Sequence, residues 1–565
     1  MVKLIPMPKK IEEIGGEFSY KAIKPVSYKE DERIEKAFSR LPQSENGADV
    51  VIKHDSMADE EYKLEIGEKI VITAAAAKGI FYAVQTLRQL FDSGYIPNCV
   101  IEDKPDLSYR GLYHDVTRGK IPNTETMKRL IDRCAYFKLN SLQLYVEHTY
   151  EFREFADIKD ETGYMTAEET REIDDYCHEN FIELIPSIAT FGHLYELLNL
   201  EKYKHLRVLK DYKKDVTFWF GRMAHHTIDP RLSESFEVVK SLIDQYIPLF
   251  RSDKFNICCD ETFDLDNCGL SSDESGQLYI EFVKKIIDYI KSKGKTPMMW
   301  GDILLQHPEA AKLLPEDVIL LNWNYEPETN DERFTTLEKY GRKQIACPGT
   351  SSWFNFCEII DTSEKNICSM AYVGSKHGID GVLNTNWGDF GNVCSIELAM
   401  YGIALGAEVA WTPRENVRAD FADCMNSLIY KSKNGENFVR RIGKLCQNVS
   451  WRAFVFEYSF DKYGNRHDSV CPSEKAIRQT VSDAYALKAE IEKDNSLDSG
   501  YKKEMLIAVD AELAMSKLLA KRAGADIDVD IDVNAWLEKF KKAWLEKNQI
   551  NEFPKIEKTI MHFMK

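Results

Sequence analysis

The chain has 565 residues, too many for one ordinary hydrophobic core, so two to four domains are expected. It is 44% hydrophobic and 29% charged, the make-up of a globular protein rather than a disordered one. A formal net charge of -18 argues against nucleic acid or an anionic membrane as partner.

The amino terminus, "MVKLIPMPKKIEEIGG", has no long apolar run and no small-residue cleavage site, so no signal peptide is read there. No window reaches the ~18 apolar residues of a membrane helix. Thirteen cysteines are scattered without a C-x-x-C spacing, with one adjacent pair at Cys258 and Cys259. An odd count without a signal fits a reduced, cytoplasmic protein, and neither a zinc site nor any other cofactor is expected.

The first region, residues 1–106, contains alternating Tyr62, Leu64 and Ile66, then Ile70 and Ile72, a pattern suited to a hairpin. An Ala-rich helix is expected from Ala76 to Phe91. Together these predict a small α+β domain, and Pro105 punctuates the linker "IEDKPDLSYRG" that follows. The second region, residues 107–412, alternates short apolar runs with amphipathic stretches. Eight runs are strand candidates: "GLYHDVT", "SLQLYVE", "FIELIPSI", "KFNICCDE", "TPMMWGD", "VILLNWNY", "KQIACPG" and "GVLNTNWGD". Helices are expected from Thr124 to Phe137, Thr166 to Glu179, Ser233 to Phe250 and Leu278 to Lys293. The first two open on threonines placed as N-caps, and Glu169 completes a capping box with Thr166. Eight strand–helix repeats in this length predict a (β/α)8 TIM barrel, with a doubly wound open sheet as the alternative. The third region, residues 413–565, is expected to be helical, a scaffold or a dimerisation surface in a homo-oligomer.

The fourth strand candidate ends in two adjacent carboxylates, Asp260 and Glu261. At a strand's last residue the backbone is already turning, so both side chains can converge on one pocket. Two close carboxylates in a partly dry site do not ionise together easily, which yields a proton donor beside a permanent anion. That pairing suits glycosidic bond cleavage. Adjacent residues seldom straddle the scissile bond as an acid and a protein nucleophile must. A nucleophile supplied by the substrate, the 2-acetamido oxygen of an N-acetylhexosamine, removes that difficulty. Glu261 then donates the proton, and Asp260 holds the acetamide N–H and balances the oxazolinium charge.

The first ~410 residues resemble family 20 of the glycoside hydrolases, the β-N-acetylhexosaminidases, whose substrate-assisted mechanism departs from the two-carboxylate rule. "YKLEIGEKIVITAAAAKGIFYAVQTLRQL" is similar to the family's N-terminal non-catalytic domain. "YRGLYHDVTRGKIP" resembles its first barrel strand, "LIPSIATFGH" its third, and "FNICCDE" its His-x-Gly-Gly-Asp-Glu signature. The resemblance implies an exo-acting, retaining enzyme acting on small oligosaccharides or glycosides, without metal or redox cofactor. It implies that Arg110 binds sugar hydroxyls through its guanidinium fork, a barrel-closing salt bridge (with Asp115, for instance) being the alternative. Glu147 stands where the family usually has Asp and would support His193, close to the catalytic pair. Asp389 in "NWGD" matches the acidic residue that reads ring hydroxyls, where Glu is usual. Trp300, Trp323, Trp353 and Trp387, four of the nine tryptophans, fall at successive strand ends. They are expected to wall the acetamide pocket and form a platform under the sugar ring.

Two departures stand out. Asn256, Cys258 and Cys259 replace the signature's His and two glycines, which implies that no special glycine backbone is required there. "GTSSWFNF" carries Trp353 and Phe354 where the family commonly has the tyrosine that polarises the acetamide carbonyl; Tyr325 and Tyr145 are the candidates to replace it. Alternatives to the hexosaminidase reading are a β-N-acetylgalactosaminidase or disaccharide-releasing enzyme on the same scaffold, or a catalytically silent sugar-binding protein.

Overall fold

The computed structural model describes residues 2–210, 219, 226–463 and 472–565. Strands β1 (Lys10–Glu17), β2 (Val50–His54), β3 (Tyr62–Ile66), β4 (Ile70–Ala74) and β5 (Pro97–Asp103) form one sheet in the order β1-β5-β3-β4-β2. The expected hairpin is β3 against β4, antiparallel, with Tyr62, Leu64 and Ile66 buried and the residues between them half-buried. The Ala-rich helix spans Ala77–Ser93 and packs on these strands; Gly94, at φ 73, ends it in the left-handed conformation that glycine adopts without strain.

Eight further strands build the barrel: β6 (Tyr109–Asp115), β7 (Ser141–Tyr145), β8 (Glu183–Ile185), β9 (Lys254–Asn256), β10 (Thr296–Trp300), β11 (Ile319–Trp323), β12 (Lys343–Cys347) and β13 (Gly381–Asn386). One lies in each expected run. All pair in parallel, in the order β8-β7-β6-β13-β12-β11-β10-β9. The two ends of that order meet where Ser187 bridges Asn256 and the Asn256 N–H donates to the Pro186 carbonyl at 2.8 Å. The sheet therefore curls into a barrel, and the open doubly wound alternative is excluded.

Helix starts differ from expectation at two places. Asn123, not Thr124, caps the helix Thr124–Tyr136, its side chain accepting from the Thr126 N–H at 2.9 Å. The helix expected from Leu278 begins at Ser272, where Ser271 and Glu274 form a capping box before the apolar periodicity sets in. The box of Thr166 and Glu169 is present. The described residues beyond 413 are mostly helical, with long segments at Gly435–Asn448, Trp451–Tyr463, Glu474–Lys493, Ser499–Ala523, Val533–Leu545 and Phe553–Met564. Among the described residues no helix is long and apolar enough to cross a membrane.

The N-terminal sheet grips the barrel at the strand starts. Asp103, on β5, is buried and accepts from Tyr62 Oη (2.8 Å), Lys138 Nζ (3.0 Å) and Trp411 Nε1 (2.8 Å). A cleft of about 880 Å³ opens beside this contact, floored by strand-start residues such as Tyr109, Ser141 and Glu183. It lies at the end of the barrel opposite the one where (β/α)8 enzymes carry their chemistry.

Candidate active site

Strand β9 stops at Asn256, and the chain then turns irregularly, with φ of 56° at Cys258, 67° at Cys259 and 49° at Glu261. This corrects the expectation drawn from the missing glycines. The left-handed backbone that glycine favours is present at both cysteines, at an expected cost of about 1–3 kcal/mol each. Packing of the two thiols holds it. Cys258 Sγ sits 3.4 Å from Ser187 Oγ and 3.7 Å from Tyr113 Oη, and Cys259 Sγ lies 3.3 Å from Thr190 Oγ1. The turn brings Asp260 and Glu261 to one side although they are neighbours in sequence. The Nε2 of His193 lies 3.1 Å from Asp260 Oδ2 and 3.3 Å from Glu261 Oε2. Gly192 makes this approach possible, since a Cβ there would meet the Asp260 carbonyl oxygen at 2.4 Å.

The carboxylates differ in access. The Asp260 side chain is 11% exposed and that of Glu261 26%. Asp260 Oδ1 is buried and has no hydrogen-bond partner among the described residues, so one oxygen is fixed by His193 and the other is an unused acceptor. Asp302, one residue beyond Gly301 at the end of β10, adds a third carboxylate: its Oδ2 accepts the Glu261 N–H at 3.0 Å. Burial, with Asp260 and Glu261 close by, pushes Asp302 up to about 7. Burial works against a charged His193, and Arg118 opposes it too, yet the two carboxylates outweigh both and raise the imidazole to about 10.

Arg118, just past the end of β6, organises the rest. Its guanidinium bonds Asp389 Oδ1 at 2.7 Å and faces His193 Nδ1 at 3.3 Å and Tyr145 Oη at 3.5 Å. Asp115 and Glu147 lie 3.8 and 3.7 Å away. Glu147 meets His193's surroundings through these groups, accepting from Tyr145 Oη at 2.8 Å. Asp115 ties two loops together, taking the Thr117 and Arg118 N–H groups on one oxygen and the Gly388 N–H on the other. Five carboxylates (Asp115, Glu147, Asp260, Glu261 and Asp389) thus gather around Arg118 and His193, with a sixth, Asp302, behind Glu261. Such a surplus of negative charge suits a reaction in which positive charge develops on the substrate.

The wall is aromatic. Trp300 and Trp387 sit with ring centroids 5.9 Å apart, and Tyr113 and Tyr145 pack against Trp387 at 5.1 and 5.2 Å. Trp323 stacks on Tyr325 at 5.1 Å, and Tyr325 meets Trp353 at 5.2 Å. The Trp387 Nε1–H donates to Tyr325 Oη at 2.6 Å, and Thr385 is the second hydrogen-bonding neighbour of that hydroxyl.

All the expected site residues except one are brought to this end. Arg110 is the second residue of β6, and its fully buried guanidinium points to the opposite end of the barrel. There it pairs with Glu60 at 2.8 Å and donates to Tyr82 Oη (2.8 Å) and the Leu107 and Lys138 carbonyls (2.9 and 3.2 Å). The expected hydroxyl-binding role does not fit that position; nor does the pairing with Asp115, five residues further along the strand. Arg118 and Asp302 were not singled out from sequence. Both sit immediately past strand ends, in the quoted "YRGLYHDVTRGKIP" and "TPMMWGD", and that placement was the available signal.

The ligand atoms of His193, Asp260 and Glu261 lie within 4.8 Å of one another, close enough for a metal ion on distance alone. The Arg118 guanidinium, 3.3 Å from the same imidazole, works against a divalent cation there.

Two family models match the chain: the catalytic domain of glycosyl hydrolase family 20 over residues 107–380, and domain 2 of the same family over residues 1–104. A β-hexosaminidase of Vibrio furnissii is 24% identical over 419 residues, 63% of this chain and 64% of that protein, so the chain spans less than two thirds of it. The structure of a β-N-acetylhexosaminidase from Bacteroides fragilis superposes with a TM-score of 0.60 at 20% identity, over 75% of this chain and 94% of that one. A chitobiase of Flavobacterium johnsoniae matches 99% of both chains with a TM-score of 0.61 at 18% identity. With an eight-stranded parallel barrel, an N-terminal domain of matching type and both family models in register, the chain belongs to glycoside hydrolase family 20.

Proposed function

We propose that the protein is an exo-acting, retaining β-N-acetylhexosaminidase in which the substrate's 2-acetamido group is the nucleophile. The observation that carries this reading is Asp260: Oδ2 is tied to His193 at 3.1 Å, while Oδ1 is buried and unpartnered among the described residues. A carboxylate oxygen held in that state, inside an aromatic pocket, suits an N–H donor on the substrate. Glu261, the more exposed of the pair, gives its proton to the glycosidic oxygen as the bond to the anomeric carbon breaks. The acetamide carbonyl oxygen attacks that carbon, and the resulting oxazolinium ion keeps its N–H on Asp260. Glu261, now a carboxylate, takes a proton from the water that opens the ring, and the β configuration is retained.

The remaining roles follow the geometry. Arg118 takes the hydroxyl-binding role first given to Arg110, together with its partner Asp389. Trp300, Trp323, Trp353 and Trp387 enclose the acetamide and the ring. Tyr325, oriented by Trp387, polarises the acetamide carbonyl; Tyr145 is less suited because its hydroxyl already donates to Glu147.

Three aryl β-glycosides test this: the N-acetylglucosaminide, the N-acetylgalactosaminide and the plain glucoside. Turnover confined to the acetamido sugars is the expected result, and the ratio between those two reports on the 4-hydroxyl. Equal cleavage of the glucoside would mean a protein nucleophile and would refute the role given to Asp260. Glu261→Ala should lose far more activity on poor leaving groups than on activated aryl glycosides; equal losses would remove it as the acid.

A further inference from the structure

The two loops that carry Trp353 and Asp389 contain four non-glycine residues in the left-handed region: Ser351 (φ 51°), Phe354 (φ 67°), Phe390 (φ 53°) and Asn392 (φ 50°). Such conformations persist only where surrounding contacts hold them, and they concentrate where a binding surface has to be fixed. Two of the four, Phe354 and Phe390, are held from beyond the catalytic-domain match, which stops at residue 380; Ser351 and Asn392 are held by nearby backbone, through the Ile359 N–H and the Gly388 carbonyl. The turn between helices Gly435–Asn448 and Trp451–Tyr463 reaches both loops at once. Fully buried Trp451 donates its Nε1–H to the Phe390 carbonyl at 2.8 Å, immediately after Asp389. Ser450 Oγ lies 3.2 Å from the Phe354 carbonyl and 3.1 Å from Asn355 Oδ1, either of which takes its one proton, immediately after Trp353. The Phe354 and Phe390 rings meet between them at 5.1 Å.

We infer that the Ser450–Trp451 turn of the C-terminal helical region is a positioning element of the sugar pocket, clamping the Trp353 and Asp389 loops so that both side chains face the ring together. The inference rests on the proposed function for what the pocket binds. It gives the C-terminal helices a role in substrate selection. Neither residue touches substrate; each acts through a backbone carbonyl next to a residue that does. The loss of either hydrogen bond therefore frees a strained loop while the acid pair, on the far side of His193, stays as it was.

Trp451→Phe removes the N–H together with part of a buried indole, so some loss of stability accompanies it; Ser450→Ala removes only the hydroxyl. In the full-length chain, each is expected to raise KM for the aryl N-acetylglucosaminide about three- to tenfold, the range of one hydrogen bond, with kcat within about twofold of the parent. The ratio of N-acetylglucosaminide to N-acetylgalactosaminide turnover should shift with it, because Asp389 loses its fixed place. A merely structural role would lower active protein and melting temperature at constant KM and constant ratio, and that result in both variants would overturn the inference. Should Trp451→Phe fold poorly, Ser450→Ala decides alone. An unmodified chain that hydrolyses neither acetamido glycoside would bring down the proposed function and the clamp together. An active chain whose variants keep the parent's KM and ratio would bring down only the clamp.

Discussion

Arg110 and Arg118 are eight positions apart and provide a controlled pair. The five steps of strand from Arg110 to Asp115 span about 17 Å, so the two guanidinium groups act at opposite ends of the barrel. Arg110→Ala strips Glu60 of its partner and leaves Tyr82 Oη and two carbonyls without a donor. Removing one member of a buried ion pair costs about 3–5 kcal/mol, and this variant should lose stability on that scale. Its KM at a temperature where it remains folded should match the parent's. Arg118→Ala removes the group proposed to bind hydroxyls, and charge-assisted hydrogen bonds of about 1.5–3 kcal/mol translate to about a ten- to hundredfold loss in kcat/KM. Arg118→Lys should recover part of that loss, since it restores the charge without the fork. Urea unfolding followed by tryptophan fluorescence, with initial rates on an aryl N-acetylglucosaminide, separates the two effects. The reasoning fails if Arg110→Ala raises KM at unchanged stability, or if Arg118→Ala alters stability alone.

Tyr325→Phe should lower kcat on acetamido glycosides by about a hundredfold, the scale of one oxyanion-type donor, with Tyr145→Phe the milder change; the reverse order would transfer the role to Tyr145. His193, raised from 6.5 to about 10 in the folded chain, adds stability that is complete below pH 6.5 and lost as pH climbs towards 10. Denaturation of the parent and of His193→Gln at pH 6 and pH 10 should therefore show the gap between them narrowing at the higher pH, and a gap that widens would contradict the assignment. Prolonged chelation should leave kcat/KM unchanged; activity lost to a chelator and restored by a divalent ion would make His193, Asp260 and Glu261 a metal site.

The barrel was legible because each strand is a short apolar run closed by polar or aromatic residues, and all eight runs carry strands. The position of Asp260 and Glu261 was legible for the same reason. Arg110 was misplaced because one motif holds two arginines, and residue type does not say where a strand begins. Only the strand limits, Tyr109–Asp115, separate the arginine at its start from the one past its end. The backbone at Cys258 and Cys259 was misjudged because φ there answers to a tertiary demand, turning two neighbouring acids inward, which cysteine composition does not reveal. Asp302 escaped notice because an aspartate that opens a helix resembles an ordinary cap; its contact with the Glu261 N–H appears only once β9 and β10 are side by side.

Asp103 joins three parts of the chain that are far apart in sequence: its own strand in the N-terminal sheet, Lys138 ahead of β7, and Trp411 at the end of helix Met400–Trp411. With both members of the Asp103–Lys138 pair essentially without solvent contact, the two lobes cannot part without stranding a charge on each new face. The break between the two family-model matches, at residues 104–107, is therefore no line of mechanical weakness. Calorimetry of the intact chain should register the sheet and the barrel melting as one cooperative unit. A barrel cut free there would carry Arg110 and Lys138 as cations without their counter-ions, Glu60 and Asp103.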